Sequence, residues 1–346
     1  MIFEQLAVGG CRSYVIGCPA TFSAAVIDPE IQLVDHYRAI ATRDGLTIRY
    51  VIDTHTHADH FSASREIGET LNIPVVMHRE SMAPFVDLKL DDGQMLLVGD
   101  LRVTALHTPG HTRDSMCLVA ADKVFTGDTL LIGGTGRTDL PTGDPDALYD
   151  SLFNKLLKLD PALSVYPAHE YKGRSHTSLA AELTDNPRLQ KKERSEFIAM
   201  MRNLNLSAPT HLTEALRVNM SGAKSITQLL ARAAAAVPFV SLAELNSQVA
   251  KRSNDLVVLD VREKDAFAAN HIPTAKHLPR GQLELRVNEE FPDPTLRIVV
   301  CCEFGKISTL AAATLRELGF LRTAALDGGM KAWREAGYPT RAGATP

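Results

Sequence analysis

The chain has 346 residues, a length that suits two domains better than one. Its 45% hydrophobic and 23% charged residues are typical of a globular protein rather than a disordered or fibrous one. A formal net charge of −4 at pH 7 excludes the broad basic surface that nucleic acid binds, so no nucleic-acid partner is expected.

No segment of the sequence predicts export or a membrane partner. The first ten residues, MIFEQLAVGG, lack the features of a signal or transit peptide, and no apolar run approaches the ~20 residues of a membrane span. Five cysteines without the spacing of a disulfide scaffold are typical of reduced thiols. We therefore expect a cytoplasmic protein, and the sequence is compatible with a homo-oligomer.

Short apolar runs alternate with turn residues through the first half of the chain. They predict strands at CRSYVIG, FSAAVID, IRYVIDT, PVVMH, MLLVGD, LRVTALH, SMCLVA and KVFTGD. Apolar residues at helical spacing predict helices over IQLVDHYRAIATRDG and over residues 144–159, where Leu148, Leu152 and Leu156 are four apart. Hairpins with interleaved helices predict a layered α/β sandwich.

The pattern changes after Glu170. Residues 177–235 are polar and alanine-rich with helical periodicity, which predicts covering helices. A second α/β unit then begins, with buried strands at DLVVLDVRE and RIVVCC and a helix at ISTLAAATLRELGF. The predicted organisation is a first domain over 1–222, a linker over 223–238 and a small second domain over 239–346.

Seven side chains of metal-binding type follow successive predicted strands. Four lie in YVIDTHTHADHF, residues 50–61, and the others lie in HTPGHT, FTGDTL and YPAHEY. The seven are His55, His57, Asp59, His60, His111, Asp128 and His169. Because loops after strands bring such groups together, the set predicts a metal site.

The motif His-x-His-x-Asp-His over residues 55–60 resembles the signature of the metallo-β-lactamase superfamily. The resemblance covers about the first 220 residues and implies an αββα sandwich, in agreement with the predicted elements. It leaves two reactions open. Thioesterases of the glyoxalase II type use all seven groups to hold two metals and a bridging hydroxide, whereas persulfide dioxygenases use three of them on one iron.

The dioxygenase alternative implies one Fe(II) per chain, with open positions for a thiolate sulfur and for O₂. Its ligands would be His55, His111 and Asp128. The other four groups would orient these ligands through hydrogen bonds. They are His57, Asp59, His60 and His169. In the hydrolase alternative, Asp59, His60 and His169 would instead hold a second metal, and a bridging water would be the nucleophile.

Two stretches favour the dioxygenase. GTGRTDLPTGD resembles the Gly-Arg-Thr-Asp loop of these enzymes, and NPRLQKKERSEFIAMMRNLNL resembles their helical segment. The resemblance implies that Arg137 and Tyr171 contact glutathione, since an arginine fork suits a tripeptide carboxylate. The alternative is a surface pair between Arg137 and Asp139 and a packed Tyr171.

A second set of motifs lies near the C-terminus. LDVREKDAFAANHIPTAKHLP and LDGGMKAW resemble the flanking motifs of rhodanese, a sulfurtransferase fold, and RIVVCCEFGKIS lies where that family has its active loop. The family spacing Cys-x-x-Gly-x-x-Ser fits Cys302, Gly305 and Ser308. Backbone N–H groups and a helix N-terminus around a thiol lower its pKa and suit a persulfide. We therefore expect Cys302 to carry sulfur and Cys301 to be a buried strand residue.

The active loop departs from the rhodanese pattern. Glu303 and Ile307 occupy positions where many single-domain rhodaneses have arginine, and Glu303 should oppose a thiolate. Lys306 and Arg262 are the candidates for binding an anionic substrate. The alternative for Arg262 is a structural pair with Asp260.

Together the motifs predict a fusion of a persulfide dioxygenase with a rhodanese. The first domain would oxidise glutathione persulfide with O₂ to sulfite and glutathione, and the second would move a sulfane sulfur between thiosulfate and glutathione. The direction of that transfer stays open. The alternatives are a binuclear glutathione thioester hydrolase with an accessory rhodanese domain, and a sulfur-relay protein with a vestigial metal site.

Overall fold

The structure is a computed structural model that describes residues 1–204, 206–207, 212–223, 225–251 and 255–343. The chain divides into two compact units, Met1–Ala223 and Lys224–Pro346. Within the described ranges, no helix is long and apolar enough to cross a membrane.

Two six-stranded sheets form the first unit. The strands of the first sheet are β1 (Ile2–Val8), β2 (Cys11–Gly17), β3 (Ser23–Ile27), β4 (Thr47–Ile52), β5 (Val75–His78) and β6 (Leu88–Leu90), paired in that order. Those of the second are β7 (Met95–Val98), β8 (Leu101–His107), β9 (Met116–Ala120), β10 (Lys123–Gly127), β13 (Ser164–Pro167) and β14 (Thr177–Ser178), in the order β14-β13-β10-β9-β8-β7. A short ribbon joins β11 (Leu130–Leu131) to β12 (Gly134–Thr135).

Helices cover the outer faces of both sheets. They are α1 (Val34–Arg43), α2 (Ser64–Leu71), α3 (Pro145–Tyr149), α4 (Leu179–Asp185), α5 (Arg194–Arg202) and α6 (Leu212–Ser221). Tyr14 and Ile52 of the first sheet share one buried cluster with Leu118 and Phe125 of the second, so the sheets pack face to face. The outer face of the first sheet packs on α1 and α2, and that of the second on α3, α4 and α5. The predicted αββα sandwich is confirmed.

The segment 144–159 differs from the single helix that the leucine spacing predicts. After α3 the chain continues as a π-helical turn, Asp150–Lys155, and a 3₁₀ turn, Leu156–Lys158. The three leucines are nonetheless fully buried in one cluster against the second sheet. The apolar face therefore fixes which side chains are buried, while packing fixes the winding of the backbone.

A parallel sheet with helices on both faces forms the second unit. Its strands are β15 (Phe239–Val240), β16 (Leu256–Asp260), β17 (Lys276–His277), β18 (Arg297–Cys301) and β19 (Thr323–Leu326), in the order β15-β19-β18-β16-β17. Its helices are α7 (Ile226–Ala236), α8 (Leu242–Ala250), α9 (Lys264–Ala269), α10 (Leu283–Glu290), α11 (Lys306–Glu317) and α12 (Gly329–Glu335). Two buried clusters, one on each face of the sheet, make up its core. The small α/β domain expected here is confirmed.

The stretch 223–238, predicted as a linker, contains α7. A capping box begins this helix, because Ser225 Oγ accepts the N–H of Gln228 and Gln228 Oε1 accepts the N–H of Ser225. The helix belongs to the second unit, where it packs on α11. The domain boundaries themselves stay a prediction.

Candidate active sites

The first candidate site lies where β4, β8, β10 and β13 end. His55 follows β4, His111 follows β8, Asp128 directly follows β10 and His169 follows β13. His55 Nε2 is 4.0 Å from Asp128 Oδ2, and His111 Nε2 is 3.5 Å from the same oxygen. The structure therefore brings the predicted iron ligands together as one group that could hold a metal ion.

Hydrogen bonds fix which nitrogen of each predicted ligand histidine is free. Thr54 Oγ1 donates to Asp28 Oδ2 at 2.9 Å, so its lone pair accepts the Nδ1–H of His55, also at 2.9 Å. His111 Nδ1 donates to the carbonyl of Arg137 at 2.8 Å. Both histidines consequently keep an unprotonated Nε2 with its lone pair towards Asp128, which is the form that binds a metal.

The four remaining metal-type groups surround this triad. His169 Nδ1 lies 2.6 Å from Asp128 Oδ1, which leaves Asp128 Oδ2 for the triad. His60 Nδ1 lies 3.1 Å from Asp59 Oδ1. His57 Nε2 lies 3.2 Å from Oδ1 of Asp28, a buried carboxylate that the sequence reasoning did not single out.

Three ring nitrogens in this cluster lack hydrogen-bond partners, which is expected of atoms that can bind a metal ion. Among the described residues, His57 Nδ1, His60 Nε2 and His169 Nε2 are buried without a hydrogen-bond partner. His169 Nε2 does approach Asp59 Oδ2 to 2.6 Å, but outside hydrogen-bond geometry. Buried polar atoms are rarely left unpaired, so unsatisfied lone pairs beside ionised carboxylates fit a bound cation.

The pKa values in the cluster show the same demand for positive charge. Burial alone would raise the pKa of Asp128, but the adjacent His169 and His111 lower it well below its ordinary value. Burial alone would lower the pKa of His60, but its hydrogen bond with Asp59 raises it to about 10. Without metal, protons on the histidines thus balance the charge of the ionised carboxylates. A bound cation would displace those protons.

A cavity of about 510 Å³ opens onto His111 and Asp128 of the triad. The predicted substrate contacts Arg137 and Tyr171 both line it. Arg137 pairs through two nitrogens with Asp139, at 2.6 and 2.7 Å, as in the alternative interpretation. Tyr171 is 73% exposed, and its ring lies so close to Gly10 that a Cβ there would approach it to 2.4 Å.

Arg188 is a cavity residue that the sequence reasoning missed. It lines the cavity, and its Nη1 donates to the carbonyl and the hydroxyl of Thr135 at 2.7 and 3.0 Å. In the described part of the chain it has no carboxylate partner, and burial lowers its pKa. Its one signal was the NPRL stretch, which was read as a helical segment rather than as a source of charge.

The second candidate site lies between β18 and α11. Cys302 Sγ accepts the N–H of Ser308 at 3.2 Å and lies 3.3 Å from Ser308 Oγ. Gly305, at φ 84°, closes the loop at the start of α11. Cys301 is the last residue of β18, and burial raises its pKa well above its ordinary value. The geometry therefore favours Cys302 over Cys301 as the sulfur carrier.

Ion pairs neutralise the unexpected acid in this loop. Glu303 pairs with Arg262 at 3.0 Å and also with Arg334. Arg262 is buried and is held by Asp260 at 2.8 Å, so its predicted substrate role competes with a structural one. Lys306 is exposed, and no ion pair to it occurs among the described residues. Of the two predicted anion-binding groups, Lys306 is the one whose charge is free for substrate.

Comparison with known proteins bears on both sites. A family model described as the metallo-beta-lactamase superfamily matches residues 9–169, and one described as a rhodanese-like domain matches residues 241–336. Both resemblances inferred from the motifs are confirmed.

Individual relatives match about half to two thirds of the chain. The human mitochondrial persulfide dioxygenase ETHE1 is 35% identical over 211 residues, which are 60% of this chain and 82% of that protein. The crystal structure of ETHE1 from Myxococcus xanthus is 42% identical, with a TM-score of 0.63 over 64% of this chain and 99% of that chain. The hydroxyacylglutathione hydrolase of Nitrosococcus oceani is 34% identical over 182 residues, which are 49% of this chain and 67% of that protein.

Proposed function

Because the chain belongs to the metallo-beta-lactamase superfamily and is a homologue of the persulfide dioxygenases, we propose that its first unit oxidises glutathione persulfide at one Fe(II). The reaction takes glutathione persulfide, O₂ and water to glutathione, sulfite and two protons. The sulfane sulfur loses four electrons, and O₂ gains them. The observation that carries the proposal is the triad of His55, His111 and Asp128, in which hydrogen bonds leave each metal-binding atom free.

When bound, Fe(II) on two histidines and one carboxylate supplies open coordination positions for a sulfur anion and for O₂. The chain's own residues do the rest. His169 holds one Asp128 oxygen, so that the carboxylate presents the other to the triad. Arg188 lines the cavity without a carboxylate partner among the described residues, and we assign it to a carboxylate of the glutathione part. Arg137 and Tyr171 stay proposed contacts at the cavity mouth.

We further propose that the second unit transfers a sulfane sulfur through Cys302. The thiolate of Cys302 attacks the outer sulfur of thiosulfate and releases sulfite, and glutathione then removes the sulfur as glutathione persulfide. Ser308 donates its N–H to the Cys302 sulfur at 3.2 Å, and the same N–H would stabilise an anionic persulfide. Lys306 supplies the free positive charge for the dianion.

A binuclear thioester hydrolase is the second candidate. Asp59, His60 and His169 favour it, because they form a second group of metal-binding type beside the triad. The similarity to a hydroxyacylglutathione hydrolase is compatible with the same interpretation. Two metals would then share the cavity, and a bridging water would attack the thioester.

Metal content and substrate choice separate the two candidates. Protein purified and reconstituted without oxygen should contain about one iron per chain and should leave glutathione thioesters intact. The His111→Ala variant should lose the iron, whereas His36→Ala, an exposed histidine on α1, should keep it. Two zinc ions per chain together with thioester hydrolysis would instead establish the hydrolase.

A further inference from the structure

The motif loop, residues 55–62, lies between β4 and α2 and has no regular secondary structure. Its shape must therefore come from hydrogen bonds outside the sheet ladders and the helices. Within the described ranges, no backbone N–H donates to the carbonyl of His57 or to that of His60. Both residues are buried, and a buried carbonyl is rarely left without a donor. The loop thus depends on a side chain to hold these two carbonyls.

Asn219, on α6, is that side chain. Its Nδ2 donates to the carbonyls of His57 and His60, each at 2.8 Å, and its Oδ1 accepts the N–H of Ser62 at 3.1 Å. A carboxamide offers two donor hydrogens and an acceptor oxygen, so this arrangement uses both of its ends. The reversed amide would place an oxygen against two carbonyls, which fixes the orientation of the group. Asn219 is 7% exposed, so water does not freely replace these bonds.

The contact bears directly on His55, because two main-chain anchors bracket this residue. Before it, Met116 N–H donates to the carbonyl of Thr54 at 2.8 Å. After it, Asn219 holds the carbonyl of His57. With the carbonyls on both sides fixed, the backbone of His55 keeps one direction, and its Nε2 keeps its place in the triad. Losing the second anchor would free the loop on one side of a predicted metal ligand.

We propose that Asn219 is a positioning residue of the metal site. It orders the motif loop before an ion binds, and it thereby sets the affinity of the triad for Fe(II) and the geometry in which the ion is held. Asn219 acts through the main chain of the loop, so it is not a catalytic residue. The assignment rests on the proposed function in that His55 is taken as a metal ligand, which the hydrolase candidate shares.

Asn219→Asp tests the proposal, because the new side chain has nearly the same size but turns carboxylate oxygens towards two carbonyls. In metal-free full-length protein, hydrogen–deuterium exchange over residues 55–62 should become faster, while exchange over β9 and β10 should not change. Competition against a chelator should show roughly 10–100-fold weaker Fe(II) binding. Asn154→Asp is the matched control, since Asn154 is exposed and its amide donates to Asp150. The control should alter neither quantity.

A split between kcat and KM separates positioning from general loss of structure. With iron at saturation, Asn219→Asp should lower kcat for oxygen uptake and leave the KM for glutathione persulfide unchanged, because the proposed contacts Arg137, Tyr171 and Arg188 lie outside the loop. Asn219→Leu removes all three hydrogen bonds without adding charge and should act in the same direction. It keeps the test decisive if the new carboxylate unfolds the unit.

Wild-type Fe(II) affinity and unchanged exchange over residues 55–62 in Asn219→Leu would overturn the proposal. Faster exchange spread evenly over the first unit would also overturn it, because Asn219 would then only pack α6 against the sandwich. Oxygen uptake by the wild-type protein distinguishes these failures from failure of the proposed function. Weaker iron binding and faster loop exchange in the variants, without oxygen uptake by the wild type, would refute the dioxygenase and support the role of Asn219.

Discussion

At the scale of single residues, Asp28 links two histidines of the metal cluster. Its carboxylate accepts a hydrogen bond from Thr54, which in turn orients His55, and it also lies beside His57. Asp28 is 2% exposed and has a positive φ of 49°, which is unusual for a residue other than glycine. A strained, buried carboxylate that fixes two imidazoles is the kind of outer support that tunes metal sites.

Replacing Thr54 tests this support directly. Thr54→Val removes the acceptor for the Nδ1–H of His55, and we expect roughly 10–100-fold weaker Fe(II) binding in a competition titration against a chelator. Thr56→Val is the matched control, since the Thr56 hydroxyl donates to Asp114 and forms no hydrogen bond to a histidine within the described ranges. Equal iron affinities in the two variants would contradict the role assigned to Thr54.

The two adjacent cysteines make the second residue-scale prediction. Cys302→Ser should abolish transfer of sulfur from thiosulfate to glutathione, because it removes the proposed nucleophile. Cys301→Ala should retain the transfer and lose only about 1 kcal/mol of stability through a small cavity in the strand cluster. The production of glutathione persulfide measures both. If Cys302→Ser kept the activity and Cys301→Ala lost it, Cys301 rather than Cys302 would be the sulfur carrier.

Motif spacing in the sequence predicted the site residues that belong to recognisable motifs. It missed residues that reach the site only through the folding of distant segments. The seven metal-type groups could be read from the sequence because each follows a strand. Asn219 could not, since it reaches the motif loop from α6, 162 residues after His57. Arg188 was missed for a similar reason, because nothing in NPRL shows that its charge stays unpaired beside the cavity.

At the scale of elements, one buried ion pair lies at the end of β16, beside the loop between β18 and α11. Asp260 is fully buried and is paired with Arg262, whereas Glu303 is partly exposed and has a second partner in Arg334. We expect Arg262→Leu to destabilise the second unit by about 3–5 kcal/mol, because it leaves a buried carboxylate alone. Glu303→Gln should cost less than about 1 kcal/mol.

Trp333 reports this difference cleanly. It is the only tryptophan of the chain and is buried in the core of the second unit. Urea unfolding followed by tryptophan fluorescence of the full chain therefore measures the stability of that unit. Comparable losses in the two variants would refute the view that the buried Asp260 pair contributes more to stability than the pairs of Glu303.

Elements were predicted well where the apolar pattern is regular. The eight strands predicted in the first half all occur in the structure, because alternation and turn residues encode them locally, whereas β1 and β6 were not predicted. The winding of 144–159 could not be predicted, because leucines four apart fit an α-helix and a π-turn alike. The helix α7 could have been found, since Ser225 and Gln228 form a capping box that is visible in the sequence.

At the scale of the whole molecule, one chain carries two sites whose proposed reactions share glutathione persulfide. With thiosulfate and glutathione as the only substrates, the iron-loaded protein should consume O₂, because the second unit makes the persulfide that the first oxidises. Cys302→Ser should consume none from this pair and should respond fully to added glutathione persulfide. An oxygen electrode measures both. Uptake by Cys302→Ser from thiosulfate and glutathione would contradict the shared intermediate.

The whole architecture could be predicted because each unit carries its own complete set of motifs. The αββα sandwich and the small parallel-sheet unit both follow from strand and helix patterns within their own segments. The metal that the first site prefers is set by differences too small for residue types to reveal. The same seven side chains could hold one iron or two zinc ions, depending on which lone pairs the surrounding hydrogen bonds leave free.

The most direct test is the stoichiometry of oxygen and sulfite in a single assay. Iron-loaded Cys302→Ser, in which the second unit is silent, should consume one O₂ and release one sulfite for each glutathione persulfide, and His111→Ala in the same background should do neither. Persulfide breakdown without oxygen consumption, or full activity with zinc in place of iron, would contradict oxidation at the His55, His111 and Asp128 triad.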